Sequence, residues 1–242
     1  LKHWKFHYLV DVVAPAELPI TINAIRSQQF RWNKGGAENF RKFIAQVITA
    51  KGHPIWTKIN AFFHLINSSM FLNILLVSIL SVPLIYIKSA YPELSLAYDI
   101  STLFIISTII FFTCYWFIHK YIYGGGLRSF LQYINRFISF YTLVMGFSIH
   151  NSIAVLEGYV GKKSSFVRTP KFNKSKMKDN KYAIKKISFY SFIEIVLALY
   201  FLFGMYASFN IVAKVDFGLF LFHFFLFIGF SSISYQGLKQ SI

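Results

Sequence analysis

Four long apolar runs constrain this chain more than any other feature. They are Phe62 to Ile87, Ile100 to Ile118, Ile187 to Tyr206 and Phe217 to Tyr235. Each is long enough for the roughly 20-residue helix that crosses a bilayer. Composition agrees: 55% of the 242 residues are hydrophobic and 14% charged, where soluble domains sit nearer a quarter charged. The expected class is a mainly α, polytopic membrane protein with about four transmembrane helices plus interfacial helices. Aromatics at 20% suit lipid-facing and interfacial positions. The single cysteine, Cys114, excludes an internal disulfide and a cysteine metal cluster.

A fifth run, Phe137 to Leu156, is interrupted by His150, Asn151 and Ser152 and preceded by Gln132, Asn135 and Arg136. Charge placement decides its role. Residues 158–186 hold ten Lys or Arg and one acid, Asp179, and residues 1–59 hold nine Lys or Arg and three acids. By the positive-inside rule both regions are cytoplasmic, so the chain between them crosses an even number of times. Two spans satisfy that. The 120–157 segment is then interfacial or re-entrant. Under this topology both chain ends are cytoplasmic, in a cell (inner) membrane, and only Lys88 and Lys214 of the 25 Lys and Arg fall outside the cytoplasmic side. Such one-sided charge suits topology and anionic lipid, and also a phosphate-bearing substrate. No nucleic-acid fold is evident, and nucleic acid is not expected as a partner.

Trp4 to Val13 alternates, with Trp4, Phe6, Tyr8, Val10 and Val12 on one face, and predicts a strand. The Ala14–Pro19 stretch breaks it, with Pro19 suited to a helix first turn and Glu17 to the positive end of its dipole. A helix is expected from Ile20 to Asn33. Gly35-Gly36 interrupts the pattern, and a second helix is expected over Ala37 to about Ala50, ended by Lys51-Gly52-His53-Pro54.

Within the first of these helices the sequence reads SQQFRWNK. Gln28, Arg31 and Trp32 stand at i, i+3 and i+4 and share one face. Arginine offers a fork of donors matched to phosphate oxygens, glutamine a neutral donor and acceptor, and tryptophan a flat apolar face with one N–H. Together they suit a ligand with a phosphate end and a flat ring, and a nucleotide-sugar meeting a sugar acceptor is such a pair. An interfacial helix on which Arg snorkels and Trp anchors has the same pattern.

The run APAELP, then QQFRW about ten residues on, then Lys34-Gly35, resembles membrane-embedded family 2 glycosyltransferases, a group that includes cellulose and mannan synthases. Gln28, Arg31 and Trp32 match the Q-x-x-R-W motif of that family. The resemblance implies that Trp32 contacts the acceptor end of the glycan while Arg31 and Gln28 hold the donor diphosphate. A second likeness is to the cytoplasmic gating loop F-x-V-T-x-K of bacterial cellulose synthases. Phe166-Val167-Arg168-Thr169-Pro170-Lys171 keeps Phe166, Thr169 and Lys171 and puts Arg168 where the Val stands. An ordinary solvated basic loop reads the same way.

The resemblance implies a layout. Residues 1–16 end a cytoplasmic α/β glycosyltransferase domain, 17–59 carry the motif helix and an interfacial helix, and 60–119 form two spans. The 120–157 segment and the gating-loop-like 158–186 follow, then two more spans in 187–236 and a short tail, 237–242. It implies an inverting, processive enzyme with a nucleotide-sugar donor, a glycan or lipid acceptor and a divalent metal, Mg or Mn. The acidic D-x-D and T-E-D motifs that hold metal and base in the family do not occur here. The chain opens on Leu1, without a signal peptide, so base and metal ligands are expected upstream and the chain is expected to be inactive alone. The alternatives are a non-processive lipid glycosyltransferase and a non-enzymatic channel or scaffold subunit. Elsewhere, Glu194 suits a polar path or an interhelical contact, and Glu157 a pair with a loop lysine. His150 and Asn151 suit a polar interfacial face, His223 a packing role, and Gly124-Gly125-Gly126 a hinge.

Overall fold

The computed structural model describes residues 5–15, 19, 21–94, 96, 98, 100, 104–164, 189–211 and 215–239. These form long helices and, among the described residues, no strand. In chain order the helices are α1 (Ile22–Thr49), α2 (Ile55–Ile66), α3 (Met70–Ala90), α4 (Phe104–Tyr123), α5 (Leu127–Gly146), α6 (Ser148–Val160), α7 (Phe189–Asn210) and α8 (Phe217–Lys239). A single 3₁₀ turn, Asn67–Ser69, joins α2 to α3.

The N-terminal alternation does not become a strand. Residues 5–15 are exposed and irregular apart from a turn at Val10–Asp11, where the Val12 N–H reaches the Leu9 carbonyl at 3.4 Å. A strand exists by pairing its N–H and C=O groups with another, and the described residues supply no partner. The next helix begins two residues later than its pattern suggested. Thr21 caps it, its Oγ1 accepting from the Ala24 N–H at 3.2 Å, so Pro19 lies ahead of the helix and not in its first turn.

The Gly35-Gly36 break is also absent: α1 runs through it as one helix of 28 residues. Each glycine costs about 1 kcal/mol of helix propensity against alanine, and packing overrides that cost. A Cβ at Gly36 would collide with the Ser68 hydroxyl, so the absent side chain is what lets the 3₁₀ turn approach. The expected stop does hold. The helix ends at Thr49, and Gly52 takes φ 77°, a conformation glycine adopts without steric cost.

Among the described residues, three helical stretches are long and apolar enough to cross a membrane: Ile55–Ala90, which joins α2 to α3, Phe189–Asn210 and Phe217–Lys239. Between 22% and 33% of each apolar window is buried, so most of the apolar surface faces outward. Water would not tolerate so much exposed apolar area, but lipid does. The α5 and α6 pair, interrupted at Phe147, is a fourth candidate, either a broken span or a re-entrant loop. Helix α4 covers most of the expected second span. Its last turns carry His119 and Lys120, and its described residues fall outside the three apolar stretches.

The chain divides into two compact units. The first comprises Leu1–Leu75, Ser148–Ser191 and Tyr235–Ile242, and the second Leu76–Phe147 and Phe192–Ser234. The first is built on α1 against α6. Positions in contact rise together along both helices: Arg26 with His150, Lys34 with Glu157, Arg41 with Gly161. The two helices therefore run parallel. Gly158 sits where they come closest, since a Cβ there would lie 2.7 Å from both the Ala37 Cβ and the Lys34 carbonyl oxygen.

In the second unit α5 meets α8 through Gly146 and Gly229. A Cβ on Gly146 would come 2.5 Å from the Gly229 carbonyl oxygen, and one on Gly229 2.6 Å from that of Thr142. Small residues that let backbones touch are the usual means of joining helices where no hydrophobic effect acts. Phe201, Leu226, Phe230 and Ile233 are fully buried around the α7 and α8 helices. His223 is buried among them, as its packing role requires. Its Nε2 lies 2.8 Å from the Ser81 hydroxyl and its ring stacks on Phe201. Glu194 is fully buried. Gly124 and Gly126, at φ 82° and 101°, turn the chain from α4 into α5.

Candidate functional site

All three residues of the Q-x-x-R-W pattern lie on α1. At about 100° per residue, Gln28, Arg31 and Trp32 cluster roughly half a turn away from Arg26, Asn33 and Ala37, which are buried. Packing fixes the helix by that face; on the motif side Ala24, one turn before Gln28, is buried as well, and Trp32 is the motif residue left exposed. Trp32 is 62% exposed, while Gln28 and Arg31 are half-buried. The exposed Trp32 indole presents a flat apolar surface, and Arg31, with its Nη1 buried, presents part of a fork of donors. That arrangement can hold a ring and an anion at once.

The buried face of α1 carries its own chemistry. Phe30 packs its ring against His150, centroids 5.2 Å apart, and His150 Nε2 lies 3.1 Å from the Arg26 carbonyl oxygen. Asn33 returns its Nδ2 to the Gln29 carbonyl at 2.9 Å. One turn further, the Lys34 ammonium, 6% exposed, donates to Glu157 Oε2 at 3.2 Å and to the Ser164 hydroxyl at 2.9 Å. Glu157 Oε1 in turn accepts from Lys162 at 2.6 Å, and that carboxylate raises the Lys162 pKa above the ordinary lysine range. Beyond it the Ser69 and Tyr159 hydroxyls are hydrogen-bonded, and Phe40 meets the rings of Phe62 and Tyr159 edge-on.

The expected pairing of Glu157 with a lysine of the following loop is realised by Lys162. The second partner, Lys34, was missed, because it lies 123 residues away. Lys34 stands three residues after Arg31 and three before Ala37, at the edge between the motif side and the packed side of α1, and a charge buried at such an edge needs a partner. His150 and Asn151 differ from expectation. They are 7% and 1% exposed, so they belong to the face that packs and not to a polar interfacial surface. Phe166, Thr169 and Lys171 lie outside the described residues.

Among the described residues no three His, Cys, Asp or Glu side chains gather in a way that could hold a metal ion. The motif face of α1 offers donors and an aromatic surface, which do not make a cation site.

Similarity to known proteins covers part of the chain. Over 64 residues, 26% of the chain, it is 45% identical to glucomannan 4-beta-mannosyltransferase 1 of Oryza sativa subsp. japonica, covering 12% of that protein. Over 81 residues, 34% of the chain, it is 38% identical to a probable glucomannan 4-beta-mannosyltransferase 4 of the same plant, covering 14% of it. Glucomannan 4-beta-mannosyltransferase 2 of Arabidopsis thaliana is 42% identical over 59 residues, 24% of the chain and 11% of the relative. These relatives are glycosyltransferases, and the chain covers a small part of each. No protein-family model matches, and no solved structure matches.

Proposed function

We propose that this chain is the C-terminal membrane portion of an inverting, processive family 2 glycosyltransferase that builds a β-linked polysaccharide and guides it across the bilayer. The observation that carries this reading is the 45% identity over 64 residues to a glucomannan 4-beta-mannosyltransferase. The motif helix, with Trp32 exposed on it and Gln28 and Arg31 half-buried, supports it. On this reading the donor is a nucleotide-activated mannose or a related hexose, and the acceptor is the growing glycan end.

The chemistry proposed for α1 is positioning and charge stabilisation. Arg31 and Gln28 meet the donor diphosphate, whose negative charge grows as the sugar leaves. Trp32 supports the acceptor sugar, so that its hydroxyl faces the anomeric carbon in line with the leaving group. The catalytic base and any divalent metal, Mg or Mn, belong in this proposal to residues outside the chain. The basic loop containing Phe166, Thr169 and Lys171 is proposed to face the donor on the cytoplasmic side, with 120–157 in the interface.

The test uses the complete enzyme in membrane vesicles with a labelled nucleotide-mannose. Polymer that a β-mannanase digests is expected, and Arg31→Ala should lower its formation by at least 100-fold while membrane insertion is unchanged. Near-normal transfer by Arg31→Ala would remove the motif from the mechanism. Products of a single sugar on lipid would establish the non-processive alternative.

A further inference from the structure

We infer that the outward face of α5 binds the phosphate of an anionic phospholipid. Five residues line an open groove of about 630 Å³ there: Leu127, Arg128, Leu131, Gln132 and Asn135. Their spacing puts all five on one side of the helix. The other side is fixed: Ser129 and Tyr133 are buried, the Tyr133 hydroxyl donates to the Phe112 carbonyl at 2.5 Å, and Trp116 and Phe130 pack edge-on at 4.9 Å. The aromatic contact with α4 thus dictates that the groove faces outward.

The lining chooses the ligand. Arg128 takes part in none of the ion pairs among the described residues, and its guanidinium has the geometry to take two phosphate oxygens. Gln132 and Asn135 add amide donors within two turns of it. Leu127 and Leu131, 75% and 57% exposed, give acyl chains an apolar wall. Charge points the same way. From Ile100 to Leu156 the sequence has Lys120, Arg128 and Arg136 and not one Asp or Glu. Arg136 is engaged over the Tyr123 ring at 4.6 Å, which leaves Arg128 as the cation of the groove. No aromatic ring lines it, so a sugar would have no surface to stack on, while a headgroup needs none.

The full chain in nanodiscs of equal phosphatidylcholine and phosphatidylglycerol tests this, with the lipid retained after detergent washing read by mass spectrometry. Phosphatidylglycerol should be retained over phosphatidylcholine by about tenfold, the scale of one charged hydrogen-bonded contact. Arg128→Ala should bring the ratio close to one, Arg128→Lys should keep part of it, and Arg136→Ala should leave it unchanged. Should Arg128→Ala aggregate on gel filtration, Asn135→Leu gives the same readout, with a smaller fall. Equal retention of the two lipids, or a ratio that none of the groove variants moves, overturns the inference. So does displacement of the lipid by a short β-linked oligosaccharide, which would give the groove to a glycan. Lipid retention is measured without any glycosyl transfer, so failure here leaves the proposed activity standing.

Discussion

The α1–α6 pair and the α5–α8 pair both bring two backbones together through glycine, yet they surround the contact with opposite chemistry. Around Gly158 stand Lys34, Glu157 and Lys162 as a chain of charges, with the Ser69 and Tyr159 hydroxyls bonded beyond them. Around Gly146 and Gly229 stands Ile233, and Thr142 turns its hydroxyl back to the Ile138 carbonyl at 2.8 Å. In the first pair orientation comes from ions, whose geometry is demanding and whose loss is expensive. In the second it comes from van der Waals contact alone, which is the means that remains when the surroundings are as apolar as the side chains. The pair that bears the motif is thus the one held by directional bonds.

The largest effect is expected from the charged pair. Lys34→Ala leaves Glu157 with only its more exposed partner and should destabilise the first unit by about 3 kcal/mol, at the low end for breaking a buried pair. Chemical denaturation of the chain in mild detergent would measure it. A loss under 1 kcal/mol would mean that the ions decorate the contact and do not orient it. Next come the glycines. Gly146→Val and Gly158→Val each drive a branched side chain into backbone that cannot retreat and should cost about 1–3 kcal/mol, with equal sensitivity in the two pairs. A marked inequality would show that one contact is looser than the other.

Smaller still is His223→Ala, which removes the hydrogen bond to Ser81 from the apolar region. Interhelical bonds there average about 0.6 kcal/mol, and the emptied space should add to that loss. The smallest effect concerns Asp216, which caps α8 by accepting from the Leu219 N–H at 3.0 Å and pairs with Lys88 at 2.7 Å. Desolvation alone would raise its pKa, but the bonds from Lys88 and the backbone outweigh it and hold the pKa below the usual 3.8. A lowered folded-state pKa means that the stabilisation is fully present above pH 3.8 and is lost as pH falls through the folded value. Lys88 is 38% exposed, so the loss should stay under about 1 kcal/mol. Asp216→Asn should flatten the acid limb of a thermal-stability profile.

The parts of the fold that depend on composition along one segment were legible in the sequence. Phe189–Asn210 and Phe217–Lys239 fall on two of the apolar runs, and the Lys51–Pro54 stop closes α1. What depends on a distant partner was not legible. The Trp4–Val13 alternation describes a strand that needs a neighbour, and none is described. Gly35-Gly36 reads locally as a break, but Ser68, on another element, makes Gly36 a point of close approach. The motif face of α1 followed from spacing alone. The buried face did not, because Lys34, Glu157 and Gly158 acquire their meaning only when α6 is laid beside α1.

One consequence of the unbroken α1 is mechanical. A helix that passes through Gly35-Gly36 as one element is a lever, with Trp32 ten residues into it and the Ile48 carbonyl held by Lys58 at 2.9 Å near its C-terminal end. Some 17 residues separate Trp32 from Thr49, about 25 Å of arm at 1.5 Å per residue. A tilt of about 5° at the far end therefore swings the indole by about 2 Å, more than the roughly 1 Å of misplacement that would cost about 100-fold in the role proposed for Trp32. The rod that presents the motif also makes its position sensitive to what happens several turns away.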